Sequence, residues 1–395
     1  VTADDFSARL AGRAIEIGRT AWNACANPGG LADPHPFTRY EFFEAVEESG
    51  SATARTGWRP LHLVIEHIGR TVGLLPLYLK NHSQGEYVFD HAWADALERA
   101  GGDYYPKLQA SVPFTPATGR RFLIADPERE DAIRAALLST AQTAVRELKA
   151  SSLHVTFLTE DEWRAAGDAG YLLRTDQQFH WENRGYSDFA QFLGELSSSK
   201  RKNLRKEREA VRAEGVEFDW LSGRDLTESV WDTFFEFYMD TGGRKWGHPY
   251  LTRDFFSRVG ASMAEQTLLV MAKRNGRTIA GALNFFGDGV LFGRNWGCTE
   301  FVPFLHFETC YYQAIEFAIA RGLKKVEAGA QGAHKLLRGY MPTTTYSAHY
   351  IAHPGLRRAV DDYLKREREA VAEHIEELAE HGPFRKSQVI DEDRS

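Results

Sequence analysis

Cysteine is scarce in this chain: three in 395 residues, Cys25, Cys298 and Cys310, with no Cys-x-x-Cys pair. An odd, sparse set argues against a disulfide scaffold or a zinc ribbon and fits a reducing compartment. No stretch approaches the roughly 20 consecutive apolar residues that a membrane helix needs. The first residues carry Asp4 and Asp5 and no apolar run, so no signal peptide is expected and the chain reads as cytoplasmic. Common catalytic signatures are missing too. There is no Gly-x-x-x-x-Gly-Lys-Ser/Thr phosphate loop, no Gly-x-Ser-x-Gly elbow and no His-Glu-x-x-His. His349 and His353 have a zinc-like spacing, but Pro354 places them at a strand and a turn, so no metal site is predicted. Repeated βαβ units with a Gly-rich first turn are not visible, which argues against a dinucleotide fold. A net charge of −7 excludes non-specific nucleic-acid binding by the whole surface, while a local basic patch stays open.

Aromatic residues are plentiful, at 12% with 9 Trp and 25 Phe. They build cores and line grooves for extended substrates. The length allows two domains, each with its own core.

The chain repeats itself. His35-Pro36-Phe37 leads to Phe42, Phe43 and Val46; His248-Pro249-Tyr250 leads to Phe255, Phe256 and Val259 at the same spacing. A hairpin pattern follows each: Leu63-Val64-Ile65 with Gly69 and Val72, then Leu269-Val270-Met271 with Gly276 and Ile279. This predicts duplication of one module. In the first half, residues 128–148 read as an amphipathic helix and 153–158 as a strand. In the second, 304–319 read as the helix and 325–330 as the strand, with Gly322 as the C-cap between them. The expected fold is mixed α/β, a central sheet fed by a hairpin in each half. The expected domains are 1–183 and 184–355, the second opening on a basic helix at 197–213 capped by serine, with an amphipathic helix at 356–382 and a tail at 383–395.

Chemistry concentrates late in the chain. On the 304–319 helix, Glu308 shares the apolar stripe of Phe304, Tyr311 and Ile315, which makes it a buried carboxylate and a general-base candidate. A structural Glu308 bonded to a tyrosine is the plainer alternative. His306 points elsewhere, and Cys310 reads as a packing residue. On the next strand Glu327 faces solvent or a cleft. Gly329, Gln331 and Gly332 follow in a small-residue loop that lets a ligand approach the backbone, and His334, Lys335 and Arg338 come after it. Lys335 and Arg338, three apart, could clamp a phosphate or an oxyanion. Lys200 to Arg212 holds seven cations against two acids, and Lys202 and Arg205 are its candidate phosphate contacts. A solvated helix is the alternative. Trp58, Asp90, Tyr105, Lys107 and Trp296 are candidates to line an acceptor groove, although core packing explains most such residues.

Two runs carry a family resemblance: Glu327-Ala328-Gly329-Ala330-Gln331-Gly332-Ala333-His334-Lys335 with Arg338-Gly339-Tyr340-Met341-Pro342, and His306-Phe307-Glu308-Thr309-Cys310-Tyr311-Tyr312-Gln313. They resemble the signature of a bacterial family named for peptidoglycan biosynthesis or recognition, which is similar to the FemAB aminoacyltransferases. The resemblance implies two tandem GNAT-type folds and an N-acyltransferase that needs no bound cofactor and takes aminoacyl-tRNA or acyl-CoA as co-substrate. It places Lys335 where FemAB-type enzymes carry a lysine facing the reacting ester. One departure stands out: relatives typically read Gly-Glu-His-Lys where this chain reads Gly332-Ala333-His334-Lys335. If that glutamate were the base, Glu327 or Glu308 would have to replace it. Coenzyme A enzymes of the GNAT type usually carry a glycine-rich pyrophosphate loop before the main helix. Neither Cys298-Thr299-Glu300-Phe301-Val302-Pro303-Phe304 nor Pro113-Phe114-Thr115-Pro116-Ala117-Thr118-Gly119 matches it. The expected donor is therefore aminoacyl-tRNA and the acceptor an amino acid, peptide or amino sugar. An acyl-CoA or carrier-thioester enzyme, or a non-catalytic cell-wall peptide recognition protein, are the other readings.

Overall fold

The computed structural model describes residues 6–246, 249–329 and 332–385, apart from the side chains of 243–246 and of Ala333. His248 and Gln331 lie outside the described residues, as does most of the expected tail.

In the first half the strands are β1 (Phe6–Ala11), β2 (Trp58–Pro60), β3 (His62–His67), β4 (Arg70–Leu75), β5 (Tyr78–Lys80), β6 (Lys107–Ala110), β7 (Leu123–Ile124), β8 (Ser152–Leu158) and β9 (Leu172–Glu182). The second half adds β10 (Val216–Leu221), β11 (Thr267–Arg274), β12 (Arg277–Gly287), β13 (Val290–Cys298), β14 (Lys325–Glu327) and β15 (Met341–Ile351). Strands β1-β3-β4-β7 form a small sheet. The rest form one large sheet in the order β10-β11-β12-β13-β14-β9-β15-β8-β6-β5-β2.

Both expected hairpins are present, as β3–β4 and β11–β12. The expected helix at 128–148 runs Glu130–Glu147, entered by a short turn that Asp126 caps by accepting the Glu128 N–H at 3.1 Å. The two repeat units pack on each other, with the Phe42 and Phe255 rings 5.9 Å apart edge to face in a core shared by both halves.

The large sheet crosses the halves in an unexpected way. β9 comes from the first half but pairs with β14 of the second, His180 opposite Glu327. β15 comes from the second half but pairs with β8 of the first. The two exchanged strands also pair with each other along Met341–His349 and Leu172–His180. Each half thus completes the sheet of the other.

The C-terminal helix runs Pro354–Glu380, with the His353 ring accepting the Leu356 N–H at 3.1 Å. Leu356, Val360 and Leu364 bury against Leu172, Ile351 and Trp93, so it packs on this chain's own exchanged strands. Among the described residues no helix is long and apolar enough to cross a membrane.

The expected single helix at 304–319 is broken into Leu305–Phe307, a π-helical turn Glu308–Tyr312, and Gln313–Ala320. The wider turn shifts the side chains out of the 3.6-residue period, which is why a simple stripe misplaces them. The expected strand at 325–330 stops at Glu327.

Candidate active site

The parallel strands β13 and β14 pair only from Val290–Phe292 to Lys325–Glu327. Beyond that β13 runs on to Cys298 while β14 ends, so the two part. A pocket of about 90 Å³ sits in the gap, lined by Asn284, Arg294, Trp296, His306, Cys310 and Tyr311 among others. Backbone groups at such a parting have no ladder partner and are available to a substrate. His306 precedes the π-helical turn and Cys310 and Tyr311 lie on it, and all three line the pocket. This corrects the expectation from helical spacing, which turns His306 and Cys310 away from the chemistry.

Lys335 lies on the short helical turn Ala333–Arg338 that follows the loop after β14. It is 2% exposed, and its Nζ donates to the Gly329 carbonyl at 2.9 Å. Burial lowers its pKa to about 8, against a smaller opposing effect of Cys310. Gly329 and Gly332 hold φ of 79° and 114°, a region that side-chain-bearing residues avoid.

Glu327 is buried, not solvent-facing, and it joins the two halves. Its Oε2 accepts the Thr118 N–H at 3.2 Å, and its Oε1 lies 2.7 Å from the Lys325 ammonium. Burial pushes its carboxyl up, but His180, Lys325 and the Thr118 N–H outweigh burial and hold it below the usual range. His180, on β9, sits 4.0 Å from Oε2, and burial lowers its imidazole to about 4, so it is neutral at pH 7. Among the described residues His180 Nδ1 and Thr118 Oγ1 are buried without a hydrogen-bond partner. Orphaned polar atoms beside a carboxylate mark where a polar substrate group or a water binds. Sequence reading missed His180, Thr118 and Arg294. The available signal was Gln178 and His180, two polar residues on one face of a strand that also carries Phe179 and Trp181.

Other expected site residues go elsewhere. Glu308 accepts both Nε and Nη2 of Arg208 at 3.0 and 2.8 Å and the Gln313 amide at 2.8 Å. It anchors the basic helix and is not among the pocket-lining residues. Its partner is an arginine rather than the tyrosine considered from sequence. Arg338 does not join Lys335 in a clamp. It pairs with Glu207 at 2.7 Å, and its guanidinium lies 3.4 Å above the Phe307 ring. His334 meets the Tyr311 hydroxyl at 2.9 Å.

The basic helix runs Ser198–Ala213. Ser197 holds the N-cap position but forms no side-chain cap, unlike the expectation. Leu204, Arg208 and Val211 face inward, so Arg208 is removed from the cationic stripe. Lys202 and Arg205 point to solvent and line a groove with Arg201 and Lys206.

In the first half, Trp58, Asp90 and Lys107 are buried. Trp58 is buried with the Lys80 ammonium 3.6 Å from its ring. Lys107 is buried and bonds Ser83 and Glu86 at 2.7 Å and also Asp90. These are interior polar contacts. Tyr105 is half-buried against the Ser83 hydroxyl at 2.9 Å. Trp296 alone of the five candidates lines the pocket.

A model of the FemAB-like family, described as peptidoglycan biosynthesis/recognition, matches residues 13–386. No curated protein matches the sequence. Among solved structures, FemX gives a TM-score of 0.53 at 12% identity, covering 86% of this chain and 98% of that one. L-PGS from Bacillus licheniformis gives 0.50 at 12% identity, covering 84% and 98%. A tandem GNAT protein from the clavulanic acid biosynthesis pathway gives 0.46 at 12% identity, covering 89% and 99%. Identities this low speak of fold only. The fold is mixed α/β, with the similarity to FemX running over most of both chains.

Proposed function

The chain belongs to the FemAB-like family of peptidoglycan biosynthesis and recognition, with an acyltransferase fold, and from that premise we propose that it forms an amide between an aminoacyl-tRNA and an amine. The observation that carries this reading is the buried Lys335, whose ammonium bonds the Gly329 carbonyl in the loop after β14, the strand whose Glu327 carboxylate is held by Thr118 of the first half. The acyl carbonyl would lie in the 90 Å³ pocket. The acceptor amine would enter from the side of Glu327, His180 and Thr118. As the N–C bond forms, the carbonyl oxygen gains charge that the Lys335 ammonium stabilises. The ester C–O bond then breaks, and the proton lost by the amine ends on the departing ribose oxygen. Glu327, ionised at pH 7, orients the amine and takes up that proton on the way. This gives the chain a carboxylate although Ala333 stands where relatives carry glutamate.

The donor assignment draws on the outward cations of the basic helix and on the lack of a glycine-rich pyrophosphate loop. Titrating the protein with total deacylated tRNA and with coenzyme A across salt concentrations tests it. Salt-dependent tRNA binding, weakened in Lys202→Glu/Arg205→Glu, is the expected result. Saturable coenzyme A binding without tRNA binding would replace the donor with an acyl thioester.

A further inference from the structure

One residue breaks the register between β12 and β13. Asn284 pairs with Gly293 and Leu283 with Asn295, so Arg294 is the extra residue of a β-bulge. Bulges re-aim a side chain and collect beside active sites. This one delivers a guanidinium to the pocket between β13 and β14, which Arg294 lines. Its Nη2 donates to the carbonyl of Phe114 in the first half, and Tyr87 is its other partner. Phe114 is itself held in place, with φ of 57° and its ring stacked 4.8 Å from the Tyr250 ring of the second half. Both partners of Arg294 are neutral at pH 7. Among the described residues no carboxylate pairs with Arg294, and no Asp or Glu lines the pocket. Burial works against the charge, yet a guanidinium stays protonated. A shielded cation without a counter-charge is costly unless a ligand supplies the anion. Glu327 reaches the same first-half loop, accepting the Thr118 N–H four residues after Phe114. The neighbouring strands β13 and β14 thus hold that loop with one cation and one carboxylate.

We propose that Arg294 binds a carboxylate of the acceptor. The acceptor is then a zwitterion: an amino acid, or a peptide whose attacking amine lies close to a free carboxyl group, and not an amino sugar without one. The inference rests on the aminoacyl-transfer reading above and adds the class of amine that is chosen. The anion comes with the acceptor, because the donor's α-carboxyl is tied up in the ester. The charges suit a zwitterion, with Glu327 for its ammonium and Arg294 for its carboxylate. A guanidinium can meet a carboxylate through two parallel N–H bonds, which fixes the direction in which the acceptor lies. An amine lacking the carboxylate leaves the guanidinium desolvated and unmet, and a site built this way rejects it.

The test supplies the full chain with labelled aminoacyl-tRNA and a small-molecule cell extract. The extract is used untreated, after methyl esterification, and after esterification followed by alkaline hydrolysis. Esterification neutralises carboxylates and leaves amines free. Wild-type protein is expected to form about tenfold less base-stable label with the esterified extract and to recover with the hydrolysed one. Arg294→Met is expected to lose about tenfold with the untreated extract, to give the same low yield with the esterified one, and to bind uncharged tRNA as the wild type does. Where Arg294→Met fails to fold, Arg294→Lys carries the test: its ammonium keeps the charge but not the paired bond, so the distinction shrinks without vanishing. If the wild type labels untreated and esterified extracts alike, the carboxylate is not read, and this inference falls while aminoacyl transfer stands. If Arg294→Met lowers label from both extracts by the same factor, the guanidinium is structural and the inference falls. Weakened tRNA binding in that variant would assign the guanidinium to a donor phosphate, and the inference falls again. If no extract gives base-stable label, the aminoacyl-transfer reading falls and takes this inference with it.

Discussion

Burial holds the Lys335 ammonium near a pKa of about 8, below the 10.5 of a free lysine. The folded value is the lower one, so the charge on Lys335 opposes folding. That cost, about 3 kcal/mol, is present in full below pH 8 and fades as pH rises from 8 to 10.5. Lys335→Met should therefore be more stable than the wild type at pH 7, with the gain shrinking by pH 10, while turnover is lost. Denaturant unfolding at the two pH values checks this, and a destabilised variant at pH 7 would show that contacts of the ammonium outweigh its burial. Because the acid form stabilises the oxyanion in this account, turnover should also fall as pH passes through about 8. A rise there would make Lys335 the base. Glu308 is expected to act only through stability. Glu308→Gln leaves Arg208 with one partner, Glu316, and should cost about 3 kcal/mol while turnover per folded molecule is retained. Normal stability with lost turnover would return Glu308 to the chemistry. The strand and glycine-bearing loop between Glu327 and Lys335 were legible in sequence, while the burial of Glu327 was not. Arg208 as the partner of Glu308 was not, because 100 residues separate them and no local pattern encodes the pair.

The basic helix, the π-helical turn and the loop after β14 are the elements that decide what the pocket can bind. Reversing charge at Lys202 and Arg205 should weaken tRNA binding and lower the slope of log affinity against log salt by about 0.7 to 0.9 for each phosphate no longer neutralised. An unchanged slope would make the helix an ordinary solvated surface. At Gly332 a side chain would stand 2.5 Å from the His334 ring in a left-handed backbone, so Gly332→Ala should displace the turn that carries Lys335 and reduce turnover. Hairpins and amphipathic helices were readable because their periods are local. The π-helical turn was not, since nothing in the sequence spacing of Phe304, Glu308, Tyr311 and Ile315 marks where a turn takes an extra residue, and Phe304 ends up exposed while the other three are buried.

Across the whole molecule, the exchange of β9 and β15 binds the two halves into one sheet. The proposed division at 183/184 follows chain order, and β9 lies on the far side of it from its partner β14. Residues 184–395 expressed alone would lack β9 and half of the core shared by Phe42 and Phe255, so no cooperative unfolding transition is expected for that fragment. A sharp transition would mean that the second half closes its own sheet. No periodicity announces such an exchange, because strand order is set by contacts far apart in sequence. The duplication itself was legible in the paired His-Pro-aromatic runs. The central claim is that this fold transfers an aminoacyl group to an amine with Lys335 at the reacting carbonyl. The direct measurement supplies aminoacyl-tRNA carrying a labelled amino acid together with a small-molecule cell extract as the source of acceptor. It then follows label that survives mild base, which destroys esters and spares amides. Base-stable label with the wild type and none with Lys335→Ala is the predicted result; no base-stable label, or equal amounts with both proteins, would contradict it.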